Sequence, residues 1–166
     1  TFGQLEKIAQ HTSANPNWLF FGKQTPYNIQ HIRLNEYLDQ DIKLLLGPDP
    51  SNEYLSASKV KEIKFIRELS ETGQLIILKI YENYAVETFY PPYHISDVNG
   101  VGGYNSLLYL CLLTKVLLRY YKSKVNVYSH LLSEEQFKLI LTGTVHPLTI
   151  AEKLHHIPWV DDLADR

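Results

Sequence analysis

The chain has 166 residues, 45% of them hydrophobic and 20% charged, with a formal net charge of -2. That apolar share supports a core and excludes wholesale disorder, and the near-neutral balance excludes a dedicated nucleic-acid-binding domain, which would be strongly basic. The single cysteine, Cys111, excludes an intrachain disulfide and fits a reducing, cytoplasmic compartment.

In chain order, Phe2, Leu5, Ile8 and Ala9 recur at helical spacing and predict an amphipathic helix from Thr1 to about His11. Asn15 then stands as an N-cap, with Pro16 at the first helical position and Gly22 as the stop. Between Ile29 and Leu46 two patterns compete. Ile29 to Leu34 alternates like a strand, while Ile32, Tyr37, Ile42, Leu45 and Leu46 support a helix, and the stretch is read as helix. "GPDPSNE" breaks it. "SASKVKEIKFIRELSETG" is read as a second helix, striped by Val60, Ile63, Ile66 (or Phe65) and Leu69, capped by Ser56 or Ser58 and ended by Gly73.

"QLIILKIYENYAVETFY" reads as a β-hairpin about "ENY". "PPYHISDVNGVGG" is loop. "YNSLLYLCLLTKVLLRYYKS" is a long helix, apolar almost all round, central either to the core or to a dimer interface. Cys111 lies within it as a small buried hydrophobe. Its most apolar run, Leu107 to Leu118, is too short to span a bilayer. "KVNVYSHL" is a strand, and "SEEQFKLILTG" a helix capped by Ser133 and stopped by Gly143. "HPLTIAEKLHHI" is a last helix, before an acidic tail, "PWVDDLADR". The fold class expected is α+β: a short N-terminal helical remnant, a linker, then a helix, β-hairpin, long helix, strand and helices. The expected divisions are 1–25, 26–56 and 57–166.

Phe2, Leu5, Ile8, Ala9, Thr12, Pro16, Trp18, Leu19 and Gly22 together resemble the last helices of a phage-repressor-type (Cro/repressor, Xre-like) helix-turn-helix domain. In that family this unit closes a five-helix bundle, and the scaffold and recognition helices precede it. The resemblance implies a DNA-binding transcriptional regulator, with 1–25 the end of its DNA-binding domain, 26–56 a linker and connecting helix, and 57–166 a dimerisation or effector domain. It implies a homodimer on double-stranded DNA, bound through an N-terminal part upstream of Thr1. No groove-reading residue carries over, because those positions are not in this sequence.

Other motifs point less far. "LTIAEKLHHIPWVDDL" has the texture of a first helix-turn-helix helix, but Pro158, Asp161 and Asp162 fall where a recognition helix would meet phosphates, so it is read as a terminal structural helix. "NGVGGYNS" (Asn99 to Ser106) places glycines before a helix, as an anion loop does. It lacks the phosphate-loop lysine and the dinucleotide spacing. Should a small ligand bind, Tyr93, His94, Gly102, Gly103 and Tyr104 are its candidate residues. His130, His146, His155, His156 and Glu152 match no zinc spacing, so no metal or cofactor is expected. "LLRYYKSKVNVY" mixes cations and tyrosines and is read as a helix C-terminus. No catalytic triad or activated thiol emerges, so the chain is read as a non-enzyme. The expected dimer interface takes Leu107, Leu110 and Leu117 from the long helix with Ile77 and Tyr81 from the hairpin. The expected partners are DNA, a second copy and a small-molecule or protein effector, without a membrane. The alternative is a non-enzymatic protein-binding factor of inhibitor or immunity type.

Overall fold

The computed structural model describes residues 1–34, 37–96, 98 and 100–166. Asn99, where the glycine loop begins, and residues 35 and 36, inside the first predicted long helix, lie outside the described residues.

The elements are α1 (Phe2–Thr12), α2 (Pro16–Phe21), β1 (Ile29–His31), α3 (Leu38–Leu46), α4 (Glu53–Ser56), β2 (Val60–Glu68), β3 (Leu75–Tyr81), β4 (Val86–Tyr90), α5 (Val101–Tyr120), β5 (Asn126–Leu132), α6 (Glu134–Leu141), α7 (Pro147–Ala151) and α8 (Trp159–Ala164). This is an α+β fold on one five-stranded sheet of order β1-β4-β3-β2-β5. β1 runs parallel to β4 and β5 parallel to β2, and β3 is antiparallel to both of its neighbours. α5 is the crossover that carries the chain from β4 to β5.

Two apolar layers sandwich the sheet. Alternation on β3 sends Leu75, Ile77 and Tyr81 to one side, where they meet Ile63, Phe65 and Phe89 under Leu110, Leu113 and Leu117 of α5. Ile76, Leu78 and Ile80 go to the other side, where Phe137, Ile140 and Leu148 cover them. Every β3 residue is buried, as a strand flanked on both edges and covered on both faces requires.

Several local signals act as the sequence predicts. Asn15 caps α2 by accepting from Asn17 N–H, Pro16 opens the helix, and Gly22 closes it at φ 62°. A capping box of Thr1 and Gln4, not among the predicted signals, starts α1. Ser133 accepts from Gln136 N–H to start α6. The hairpin turns through residues 82–85, with Tyr84 left-handed at φ 66°.

Four expectations are corrected. The helix predicted over "SASKVKEIKFIRELSETG" is strand β2, paired with both β3 and β5. Because both faces of β2 are covered, apolar residues occupy both parities. Ile63 and Phe65 face α5, and Ile66 faces α6. A bulge between Val60 and Glu62 shifts the alternation, so that Val60, Ile63 and Ile66 imitate a helical stripe. Gly73 therefore ends no helix. At φ +58° it turns β2 into β3, and a Cβ there would stand 2.3 Å from the Ile95 carbonyl oxygen.

The helix predicted over 29–46 divides into β1 and α3, the alternation at Ile29 being the stronger signal. Residues 26–56, expected as linker and connecting helix, add a strand to the sheet and Ile42, Leu45 and Leu55 to the core. The last predicted helix is only the short α7, and the expected acidic tail folds as α8. Val160 and Leu163 enter the main core, while Asp161 and Asp162 face outward. Among the described residues α5 is the one helix whose length and hydropathy match a membrane span. Its inner face (Leu110, Leu113, Thr114, Leu117) is buried in this fold.

His130 on edge strand β5, together with His146, sets a pH dependence. His130 is buried, and its Nδ1–H donates to the His155 carbonyl at 2.8 Å. Its Nε2 faces Lys64 Nζ at 3.3 Å, Lys64 pairs with Glu62 at 2.9 Å, and His156 stands beside it. Burial holds His130 below the ordinary imidazole range, with Lys64 and His156 adding to the fall and the His155 bond and Glu62 opposing it. Burial lowers His146 likewise. For both groups the folded pKa lies below the unfolded value of about 6.5. Above that pH neither state holds the proton. As pH falls through it, the unfolded chain takes up protons that the folded chain refuses. The urea midpoint is therefore expected to be lower at pH 5.5 than at pH 7.5, and a midpoint that rises on acidification contradicts the assignment.

Candidate functional site

The N-terminal helices dock on the β4 edge of the sheet. The turn between them places Ser13 in the left-handed region at φ 56°, where its hydroxyl oxygen accepts from Val86 N–H at 3.0 Å. This covers the part of β4 that the three-residue β1 leaves unpaired. Asn15 N–H donates to the Pro26 carbonyl at 2.7 Å, and the Tyr54 hydroxyl meets His11 Nδ1 at 3.2 Å. A cleft of about 530 Å³ lies between α1, α2, the segment leading into β1, residues 49–55 and the start of β4. That volume lies in the range of small-molecule sites.

Charge inside the cleft is one-sided. Glu6, Asp49, Glu53 and Glu87 line it, with amide groups from Gln10, Asn15, Asn28, Gln30 and Asn52, and the lining includes no Lys, Arg or His. Such a wall accepts hydrogen bonds from donor-rich or cationic groups and repels phosphates. The cleft is therefore unsuited to nucleic acid.

A buried polar cluster lies beneath its floor and reaches the cleft itself through Gln30, Asp49 and Glu87. Lys79 and Glu87 sit opposite one another across the hairpin, with Nζ and Oε1 3.4 Å apart. Lys79 also donates to the Leu44 carbonyl on α3 at 2.8 Å, and its ammonium lies over the Tyr81 and Phe89 rings. Glu87 accepts from the Tyr81 hydroxyl and, through Oε2, from Gln30 at 2.9 Å. Tyr81 in turn accepts from Asp49 N–H at 3.0 Å. Burial pushes the Lys79 ammonium down, against the attraction of Glu87 and Asp49. Burial also pushes the Tyr81 phenol up, and its bond to Glu87 adds to the rise. Titratable groups perturbed by burial beside a cleft mark a candidate site.

The residues singled out from sequence are placed elsewhere. Tyr93 is packed into the core beneath α5, and His94 is exposed and bridges to Gln74. Gly102, Gly103 and Tyr104 form the first turn of α5, and the position of a Gly102 Cβ is open space. None of the five lines the cleft. The interface expectation is corrected too. Leu110, Leu117, Ile77 and Tyr81 are consumed by the chain's own core, and Leu107 packs against it. The hairpin offers no free edge, because β1 and β2 flank it. Cys111 is half-buried, and burial raises its thiol. Lys79 and Glu87 carried one legible signal: a lone charge in each of two otherwise apolar hairpin strands, at positions that the hairpin register sets face to face.

The fold and cleft define a mixed-sheet α+β protein with a carboxylate-walled cleft at one sheet edge. No protein-family model matches the chain, and no match was found among curated proteins or among solved structures.

Proposed function

We propose that the chain is the association and effector-sensing portion of a cytoplasmic transcriptional regulator of the phage-repressor type. Its DNA-reading helices belong to an N-terminal part outside this sequence, and it acts as a homodimer without catalysing a reaction. The observation that carries this reading is the outer face of α1 and α2. Phe2, Ile8, Trp18 and Phe21 are exposed there, and Phe2, Phe20 and Phe21 stack edge to face at 5.8 and 6.1 Å. An uncovered aromatic cluster on two well-capped helices is a surface that further helices of a bundle would cover. The cleft supports an effector role, because a ligand in it would touch both α1 and the sheet.

The test is selection from a randomised duplex pool by the protein as its gene encodes it. Enrichment of a two-fold symmetric site is expected, and a pool that stays unenriched overturns the reading. A stability comparison adds to it. Phe2→Ser with Phe21→Ser is expected to change the unfolding free energy of the present chain by less than about 0.5 kcal/mol, as exposed positions do. In the longer chain the same pair is expected to cost about 2 kcal/mol or more. Equal effects in both contexts would count against a covering bundle.

A further inference from the structure

The solvent side of α5 is apolar where an ordinary helix would be polar. Val101 is 83% exposed, Tyr104 57%, Leu108 49% and Leu112 49%. They recur at i, i+3, i+7 and i+11, a single stripe three turns long. Val98, ahead of the helix, is 88% exposed as well. From Val101 to Thr114 the helix holds no charged residue. Beneath this stripe, Leu110, Leu113 and Leu117 belong to the core, so the exposed side chains are a second apolar face.

We infer that this face is the seat of a second copy of the chain, with the two α5 helices packed antiparallel about a two-fold axis near Leu108. Three observations select that occupant. The first is area. The four side chains of the stripe present roughly 400–450 Å² per copy, within the range of the largest apolar patch of an ordinary monomer. Two such faces together bury roughly 800–900 Å², the size of a weak, reversible interface.

The second is charge. Lys115 and Arg119 lie at the C-terminal end of the stripe. A parallel pair would set them against their own copies. An antiparallel pair centred on Leu108 holds the two Lys115 side chains about 21 Å apart along the seam, at 1.5 Å per residue. The third is local neutralisation. Lys115 and Arg119 share a surface hollow with Asp161 of α8 and with Asp165 just after it, so carboxylates of the same chain stand near the cations at the C-terminal end of the stripe. A face that is apolar along its length, with both signs of charge at one end, complements itself when the pair is antiparallel, as an isologous interface must. A lipid surface would favour an uncompensated basic rim. The inference gives the proposed regulator its dimer surface, but it is tested by mass and not by DNA.

The experiment is light scattering with sedimentation velocity from 1 to 100 µM. A species of twice the chain's 19.2 kDa is expected. Leu108→Glu with Leu112→Glu should weaken the dimer at least 100-fold while leaving the far-ultraviolet circular dichroism of the monomer unchanged. A second readout fixes the geometry. In a Cys111→Ser background, Leu108→Cys is expected to cross-link to its own copy under mild oxidation, and Leu112→Cys, about 12 Å from its equivalent, far less. A chain that stays monomeric at 100 µM, a dimer that the charged pair leaves intact, or a monomer that floats with phosphatidylcholine vesicles overturns the inference.

Discussion

Glu87→Gln is expected to lower the unfolding free energy by about 3 kcal/mol or more, the cost of leaving a buried charge without its partner. The side chain keeps its shape, so the loss is electrostatic. Glu87 accepts from Tyr81 and Gln30 and faces Lys79 at 3.4 Å, and both members of the pair are nearly solvent-free. Without the carboxylate, Lys79 keeps the Leu44 carbonyl, two aromatic rings and the weaker attraction of Asp49. It must then hold an uncompensated charge or release its proton, towards which burial already pushes it. Adding Lys79→Met to Glu87→Gln removes that charge. The double variant is expected to recover most of the stability, because an apolar replacement for a buried pair is often neutral or better. Urea unfolding of the wild type, Glu87→Gln, Lys79→Met and the double variant measures the coupling. A single variant within about 1 kcal/mol of the wild type would show that the ion pair does not hold the cleft floor together.

The parts of this fold legible in the sequence are those whose determinants are local. Asn15–Pro16, Gly22, Ser133 and Gly143 act within one turn of where they stand, and each is where its signal places it. The hairpin strands and the long helix were legible from composition. The parts that were not legible depend on partners distant in sequence. β2 has no readable face until β3 and β5 enclose it. α8 has six residues, too few to show a period, and is held by α5 and by the Trp159 indole donating to the His130 carbonyl at 3.0 Å. The cleft floor draws on β1, α3, β3 and β4 at once, so only the Lys79–Glu87 opposition could have been inferred, from the register of the hairpin.

That difference between local and enclosed elements sets the second large prediction, at β2. As a helix, the stretch would group Leu69 with Val60, Ile63 and Ile66 on one buried stripe. As a strand between two others, it buries Phe65 completely against Ile77 and the Trp159 ring, 6.4 Å away, and leaves Leu69 more than half exposed past the strand end. Phe65→Ala is expected to cost about 4 kcal/mol, within the range for deleting a buried ring whose cavity cannot collapse. Collapse is resisted here because β3 and β5 fix the backbone on both sides and α5 and α8 close the layer above. Leu69→Ala is expected to cost less than about 0.5 kcal/mol. The two readings of the same stretch, Val60 to Leu69, thus order the substitutions differently. Chemical denaturation decides between them: a Leu69→Ala loss equal to that of Phe65→Ala would place the helical stripe, not the strand, in the core. The expected order instead ties the stability of the sheet to a ring that also touches α8, so that truncating it loosens α5 and α8 together.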